Sequence, residues 1–353
     1  MKEKFIIESI ELLKKMIATP SLSRQEDAVA DLVMDELKKM NLKPNRFLNN
    51  IWIEKVADEN LPTILLNSHI DTVKPTENWE TDPFSAVEKN GALYGLGSND
   101  AGGSLVSLLA TFRYLAANEQ NYNLIFAATA EEEVSGQNGI AALLPKLEII
   151  DLAVVGEPTQ MQMAVAEKGL MVIDGIVKGK SGHAARDEGD NAIYKALPII
   201  EKIKNYQFEK VSPFLGAVKL TVTGIGAGTQ HNVVPDKCTF MVDVRVNDCY
   251  SNQEVFEILS EEIDCELNPR SFRLNSSHIE ENHPIVKRGK ELGLTAFGSP
   301  TLSDQALIPF TSIKIGPGDS ARSHTPNEFI KLEEIRNGVE VYVRLLEGLG
   351  VRG

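Results

Sequence analysis

The feature that most constrains this chain is a series of short apolar runs, each followed at once by charged residues. Thr63–Leu66, Leu124–Ala128 and Leu152–Val155 have the length and composition of buried strands. A helical stretch, Ser104–Ala117, separates the first two. Strands alternating with helices predict an α/β layer fold: a largely parallel mixed sheet with helices on both faces. Two helices precede it. The first carries Ile6, Ile10, Leu13 and Ile17 as an apolar stripe. The second reads as opening at a capping box, Ser23 with Glu26, ahead of Val29, Leu32, Val33 and Leu37.

Near Lys168 the pattern changes. Residues 169–178 read as a strand, 190–205 as a helix, and 217–224 and 238–246 as strands. A second capping box, Ser251 with Glu254, opens a helix to about residue 263, and 265–274 is a further strand. The order β-α-β-β-α-β is that of a ferredoxin-like sandwich. After about residue 283 the α/β pattern resumes, with a helix at 284–292, a strand near 311–315 and a last helix from Leu332 to Leu349. The expectation is one discontinuous domain, residues 1–167 and 283–353, interrupted by a second at 168–282. A length of 353 residues suits two cores.

The net charge of −14 disfavours nucleic acid as a partner, since such binders carry a basic field. No run of about 18 apolar residues is present, so no membrane span is expected. The amphipathic N-terminal stretch lacks the apolar core and cleavage site of a signal peptide. Cys238, Cys249 and Cys265 are odd in number and form no CxxC, so the expected setting is the reducing cytoplasm.

The acidic and imidazole residues fall in a pattern. His69 and Asp71 follow TILLNS. Asp100 lies in the Gly-rich YGLGSNDAGG. Glu131, Glu132 and Glu133 follow LIFAATA, and Glu157 follows DLAVVG. His324 follows a second Gly-rich loop, GPGDSA. Each position is read as the end of a buried strand, and open α/β sheets bind ligands at the carboxyl ends of their strands. Taken singly, a His-x-Asp is commonly a surface feature and a Glu triplet a solvated helix face. Jointly, such features explain poorly why the acidic clusters track the apolar runs. Carboxylates crowded into one cleft repel each other unless cations neutralise them. Mixed imidazole and carboxylate donors suit zinc, cobalt or manganese.

The segments SHIDTV, GLGSNDAGG, TAEEE, GEPT, SGHAAR, Gly228 to Pro235 (Gly-x-x-x-Asn-x-x-Pro) and SHTPNE occur in an order and spacing that spans nearly the whole chain. In these the sequence resembles the di-zinc deacylases and exopeptidases, a family that includes acetylornithine deacetylase, succinyl-diaminopimelate desuccinylase, aminoacylase and carboxypeptidase G. The resemblance implies two divalent metal ions, zinc or else cobalt or manganese. His69 and Glu157 would hold one, Glu133 and His324 the other, with Asp100 between them. It implies that Asp71 orients His69 and that Glu132 is the general base. It implies that His183 stabilises the oxyanion from the lid of a partner subunit, in a homodimer formed through the lid domain. Asn232 and Arg245 would contact substrate, and Gly316 and Gly318 would cradle a carboxylate. For Arg245 a salt bridge internal to the lid is the competing reading. Many relatives carry Arg before the bridging Asp and Met-Lys after it, where this chain has Leu96, Ala101 and Gly102.

The activity implied is removal of the acyl group from a small N-acyl amino acid. The block from Ser299 to Phe329 is most like acetylornithine deacetylase, which would place the reaction in arginine biosynthesis. N-succinylornithine, succinyl-diaminopimelate and acetylcitrulline are the alternative substrates. A di-zinc exopeptidase, or a catalytically dead binding protein on the same fold, are the other readings.

Overall fold

The computed structural model describes residues 1–351, which divide into two compact units. The first comprises Met1–Val165, His278–Phe297 and the chain from Ser303 onward; the second comprises Ala166–Ser277 with Gly298–Leu302.

Four parallel strands form the centre of the first unit, in the order Asn123–Thr129, Thr63–His69, Leu152–Val155 and Ser312–Lys314. Asn50–Lys55, unread as a strand from the sequence, and Asn45–Phe47 add antiparallel strands beyond Asn123–Thr129. Every residue of Thr63–His69, Asn123–Thr129 and Leu152–Val155 is buried, as strands covered on both faces must be. On one face Leu65, Ile125, Ala127, Ala153 and Val155 pack with Ile140, Leu143 and Ile308. The helix Gly103–Ala116 covers the other face, between the helices Lys2–Ile17 and Leu332–Leu346. It comes so close that a Cβ on Gly156 would stand 2.7 Å from Leu108 Cδ1. The apolar stripe of the first helix is buried throughout.

The register decides where the chemistry goes. His69 pairs with Thr129, Asn67 with Val155, and Lys314 with Val155. The four parallel strands therefore end at nearly one level. The residues just past those ends, Glu131–Glu133 and Glu157, emerge beside His69 along a single edge.

The second unit is a four-stranded antiparallel sheet in the order Lys219–Ala227, Lys237–Val246, Gly169–Lys178, Glu266–Pro269. Its helices Ala192–Asn205 and Asn252–Glu262 contribute Ala192, Ala196, Ile203, Val255 and Leu259 to a core with Met171, Ile173, Phe240, Val242 and Val244. This is the ferredoxin-like arrangement. The last strand stops at Pro269, short of the expected residue 274. The three cysteines are free thiols. Among the described residues no helix is long and apolar enough to cross a membrane.

Candidate metal centre

The first unit brings His69, Asp71, Asp100, Glu132, Glu133, Glu157 and His324 together. His69 is the last residue of its strand and almost fully buried. Its Nδ1 lies 2.9 Å from the backbone oxygen of Asp71. A carbonyl can only accept, so the ring proton sits on Nδ1 and the lone pair of the neutral ring on Nε2. That Nε2 is buried without a hydrogen-bond partner. Around it stand Asp100 Oδ1 at 3.4 Å, Glu132 Oε2 at 3.8 Å and Glu157 Oε1 at 3.8 Å. These separations are too long for hydrogen bonds. They suit ligands around one ion, since atoms ~2.1 Å from a tetrahedral zinc are ~3.4 Å from one another.

Asp100 faces two ways. Its Oδ1 points to His69, while its Oδ2 lies 3.6 Å from His324 Nε2. His324 Nε2 in turn is 3.0 Å from Glu133 Oε2. The geometry thus forms two overlapping groups of potential ligands, one of His69, Glu132 and Glu157 and one of His69, Asp100 and Glu133, with ligand atoms of each within 4.8 Å of one another. Glu132 stands as close as the expected ligands, so distance alone does not separate base from ligand.

The electrostatics say the same. Burial opposes a charge on His69, but Glu132, Asp100, Asp71 and Glu157 outweigh it and raise its proton affinity well above the ordinary value. Burial, with neighbouring carboxylates, lifts Glu132 and Glu157 well above the usual carboxylate range. Hydrogen bonding to Glu133 lifts His324 to about 9. The pocket favours positive charge, which protons or a divalent cation would supply.

Asp71 does more than face the His69 ring. Its side chain is 3.5 Å from His69 Nδ1, and the closer acceptor for that ring is its own backbone oxygen. The carboxylate instead accepts from the backbone N–H groups of Glu132 (3.0 Å) and Glu133 (3.2 Å) and from Ser23 Oγ (2.7 Å). It clamps the turn that presents both glutamates. Glu131, which starts that turn, and His324 both have left-handed backbones, φ 57° and 58°, the kind of strain that collects at functional sites.

Ser23 and Glu26 therefore form no capping box. The helix begins at Asp27 with no side-chain cap. Ser23 serves Asp71, and buried Glu26 accepts from the N–H groups of Arg24 (2.5 Å) and Glu131 (3.3 Å). Asp304, which no sequence pattern marks, is a buried carboxylate accepting from Asn67 Nδ2 (2.8 Å) and Thr129 Oγ1 (2.9 Å), near the ends of two central strands. Burial raises it to about 6.

Asp100 is a correction of another kind. It follows no strand of the main sheet; it rides on a wide turn, Ser98–Gly102, that leads into the helix Gly103–Ala116. Leu96 and Ala101 beside it are buried, and a Cβ at Gly102 would lie 2.5 Å from both Gly97 O and Leu13 Cδ1. A side chain at Gly102 therefore has no room without a shift of the backbone at Gly97. In the Gly316–Gly318 turn, read as a carboxylate cradle, the N–H of Gly316 donates to Thr159 Oγ1 at 3.0 Å. A Cβ there would stand 2.5 Å from Glu157 O, so this glycine lets the loop approach the Glu157 segment. Gly318 has φ 93° and packs on Asn99.

The remaining positions lie in the second unit. His183 is exposed on a two-residue strand paired with Val233–Val234. The backbone oxygen of exposed Asn232 accepts from Ala184 N at 2.9 Å. Arg245 makes a bidentate pair with Asp243, 2.9 and 3.1 Å, the salt bridge that was its competing reading.

Imidazole and carboxylate donors converging beside the carboxyl edge of a parallel sheet form a candidate metal centre. The profile of peptidase family M20/M25/M40 matches residues 65–348, and the chain belongs to that family. It is 27% identical over 380 residues to the succinyl-diaminopimelate desuccinylase of Hahella chejuensis (strain KCTC 2396), covering 98% of each chain. Its fold is similar to that of aminopeptidase PepT from Bacillus cereus ATCC 10987, with TM-score 0.76, 17% identity, and coverage of 97% of this chain and 98% of that one. A dinuclear metal-binding peptidase of family M20 from Bacillus subtilis is similar with TM-score 0.73 and 17% identity, covering 98% of both chains.

Proposed function

We propose that this chain removes the acyl group from a small N-acyl amino acid, with N-acetyl-L-ornithine as substrate and ornithine and acetate as products. The observation that carries the hydrolytic reading is the orphaned His69 Nε2 ringed by three carboxylate oxygens. The choice of acyl amino acid rests on the likeness of residues 299–329 to acetylornithine deacetylases.

In this reading the first unit is catalytic. His69 and Glu157 would hold one divalent ion and Glu133 and His324 the other, with Asp100 facing both; the donor set favours zinc. Bound, such ions polarise the scissile carbonyl and acidify a water. Glu132 takes the proton from the attacking water and returns it to the leaving amine nitrogen. Its burial raises its basicity toward that task. Asp71 holds the Glu132–Glu133 turn in place. The second unit is a lid and dimerisation domain. Its edge strand, Lys219–Ala227, leaves a row of backbone groups for a second copy, with Ile225 59% exposed upon it. Through that dimer His183 would reach the oxyanion of the partner's substrate, and Asn232 and Arg245 would contact substrate.

The likeness to a desuccinylase supports a second reading, succinyl-diaminopimelate or succinylornithine as substrate. Metal-loaded protein assayed on N-acetylornithine, N-succinylornithine, N-acetylcitrulline, N-succinyl-diaminopimelate and dipeptides decides between them. The expected result is the highest kcat/KM on N-acetylornithine. Faster turnover of a succinyl substrate or a dipeptide replaces the substrate assignment. Metal uptake without turnover of any of them points to a binding protein.

A further inference from the structure

The two loops that carry Asp100 and His324 are far apart in sequence, yet Glu328 ties them together. Glu328 is 2% exposed. Its Oε1 accepts from the N–H groups of Asn99 (2.8 Å) and Asp100 (3.0 Å), and its Oε2 from that of Gly97 (3.2 Å). Its own backbone oxygen accepts from Gly95 N at 3.0 Å. One carboxylate thus holds the turn that aims Asp100. Asn99 closes the clasp from the other side: its amide donates to Asp319 O (3.0 Å) and Ser323 Oγ (3.3 Å), and its oxygen accepts from Asp319 N (3.0 Å). Since His324 lies between Ser323 and Glu328, the same segment presents the imidazole and fixes the carboxylate opposite it.

A buried carboxylate next to an acidic cluster is costly. A side chain serving packing alone would be better neutral. What only a carboxylate offers is two oxygens with no donor, matched to three converging N–H groups. A glutamine must turn an NH₂ toward at least one of them.

We propose that Glu328 is a positioning residue that sets Asp100 against His324 and thereby sets the affinity of the metal position they share. The proposal rests on the metal reading given above. Zinc binding to wild type, Glu328→Gln and Asn99→Ala is measured by competition with a chromophoric chelator, and metal content by elemental analysis. Wild type is expected to hold two ions. Glu328→Gln is expected to lose ~10–100-fold affinity at the His324 position, as when a hydrogen bond behind a metal ligand is removed, with a smaller loss at the His69 position, which Asp100 also faces. Asn99→Ala breaks the same clasp from the other loop and is expected to weaken the His324 position likewise; should Glu328→Gln not fold, it decides alone. Two tight positions in the folded variants, with loss confined to the thermal midpoint of the metal-free protein, make Glu328 merely structural and overturn the proposal. Wild-type protein that takes up no metal overturns the metal reading and the clasp with it.

Discussion

Replacing Asp71 by asparagine tests whether its carboxylate is the clamp on the Glu132–Glu133 turn. Asp71 is 1% exposed, and three donors reach it: Ser23 Oγ and Glu133 N at Oδ2, and Glu132 N at Oδ1. Asparagine keeps one oxygen and adds an NH₂. With the NH₂ at the Oδ2 site, Ser23 can rotate to accept, but the Glu133 N–H meets a donor. With the NH₂ at the Oδ1 site, the Glu132 N–H is stranded instead. In either orientation one N–H next to the base loses its acceptor, at a cost of ~1–3 kcal/mol. The bonds that survive lose the strength a charged acceptor gives them. If that cost falls on the geometry of Glu132, kcat drops roughly 10–100-fold with KM little changed, since ~1.4 kcal/mol is a factor of ten. The thermal midpoint of the metal-free protein should fall by roughly 2–10 °C. Ser23→Ala should do less, because it leaves both N–H bonds intact. The two changes combined should cost less than their sum, since Ser23 acts through Asp71. Steady-state kinetics at saturating metal and thermal melts of the metal-free proteins supply the numbers. Wild-type kcat in Asp71→Asn, or full additivity in the double variant, refutes the reasoning.

The other predictions are briefer. Glu132→Gln should retain two metal ions and lose ~10²–10⁴-fold in kcat, whereas Glu133→Gln should weaken one metal position; near-normal kcat in Glu132→Gln would remove it as the base. Glu133 holds the His324 proton up to about 9, so in the metal-free protein the stabilisation from that pair is complete below about pH 6.5 and lost as pH rises through about 9. Metal needs the neutral ring, so zinc affinity should rise across that same interval, and the dependence should flatten in His324→Ala; an unchanged slope there would contradict the assignment. His183→Ala mixed with Glu132→Gln under subunit exchange should regain part of the activity neither has alone, because one site of the mixed dimer keeps both groups; a fully active monomer, or no regain, excludes catalysis in trans.

The parts of the site that could be read in advance share a physical cause. His69, Glu132, Glu133 and Glu157 each follow an apolar run, and strands buried on both faces must be such runs. The register of a parallel sheet then does the rest. The parts that could not be read are those whose partners have no signature of their own. Glu328 is matched to backbone N–H groups, which every residue has. Asp304 answers an Asn and a Thr distant in sequence.

The two Ser-x-x-Glu motifs make the limit sharp. At Ser251 and Glu254 the box forms: Glu254 N donates to Ser251 Oγ (3.1 Å), and Ser251 N to Glu254 Oε2 (2.6 Å). Both side chains are on the surface, where the helix N–H groups meet no stronger rival for them. At Ser23 and Glu26 the local letters are the same, but the buried carboxylate of Asp71 lies 2.7 Å from the serine hydroxyl. That bond to an ionised acceptor fixes where the hydroxyl sits, turned to Asp71, and the helix begins later, at Asp27, with no side-chain cap. A buried carboxylate also loses more when left unmatched than an exposed helix end that water can cap. Glu26 is drawn inward by the same logic, to the N–H of Glu131. Local patterns thus specify structure until a buried charge competes for the same side chains. The failure of a cap at Ser23 is therefore itself a pointer to the site: the serine was taken by the residue that holds the glutamate turn.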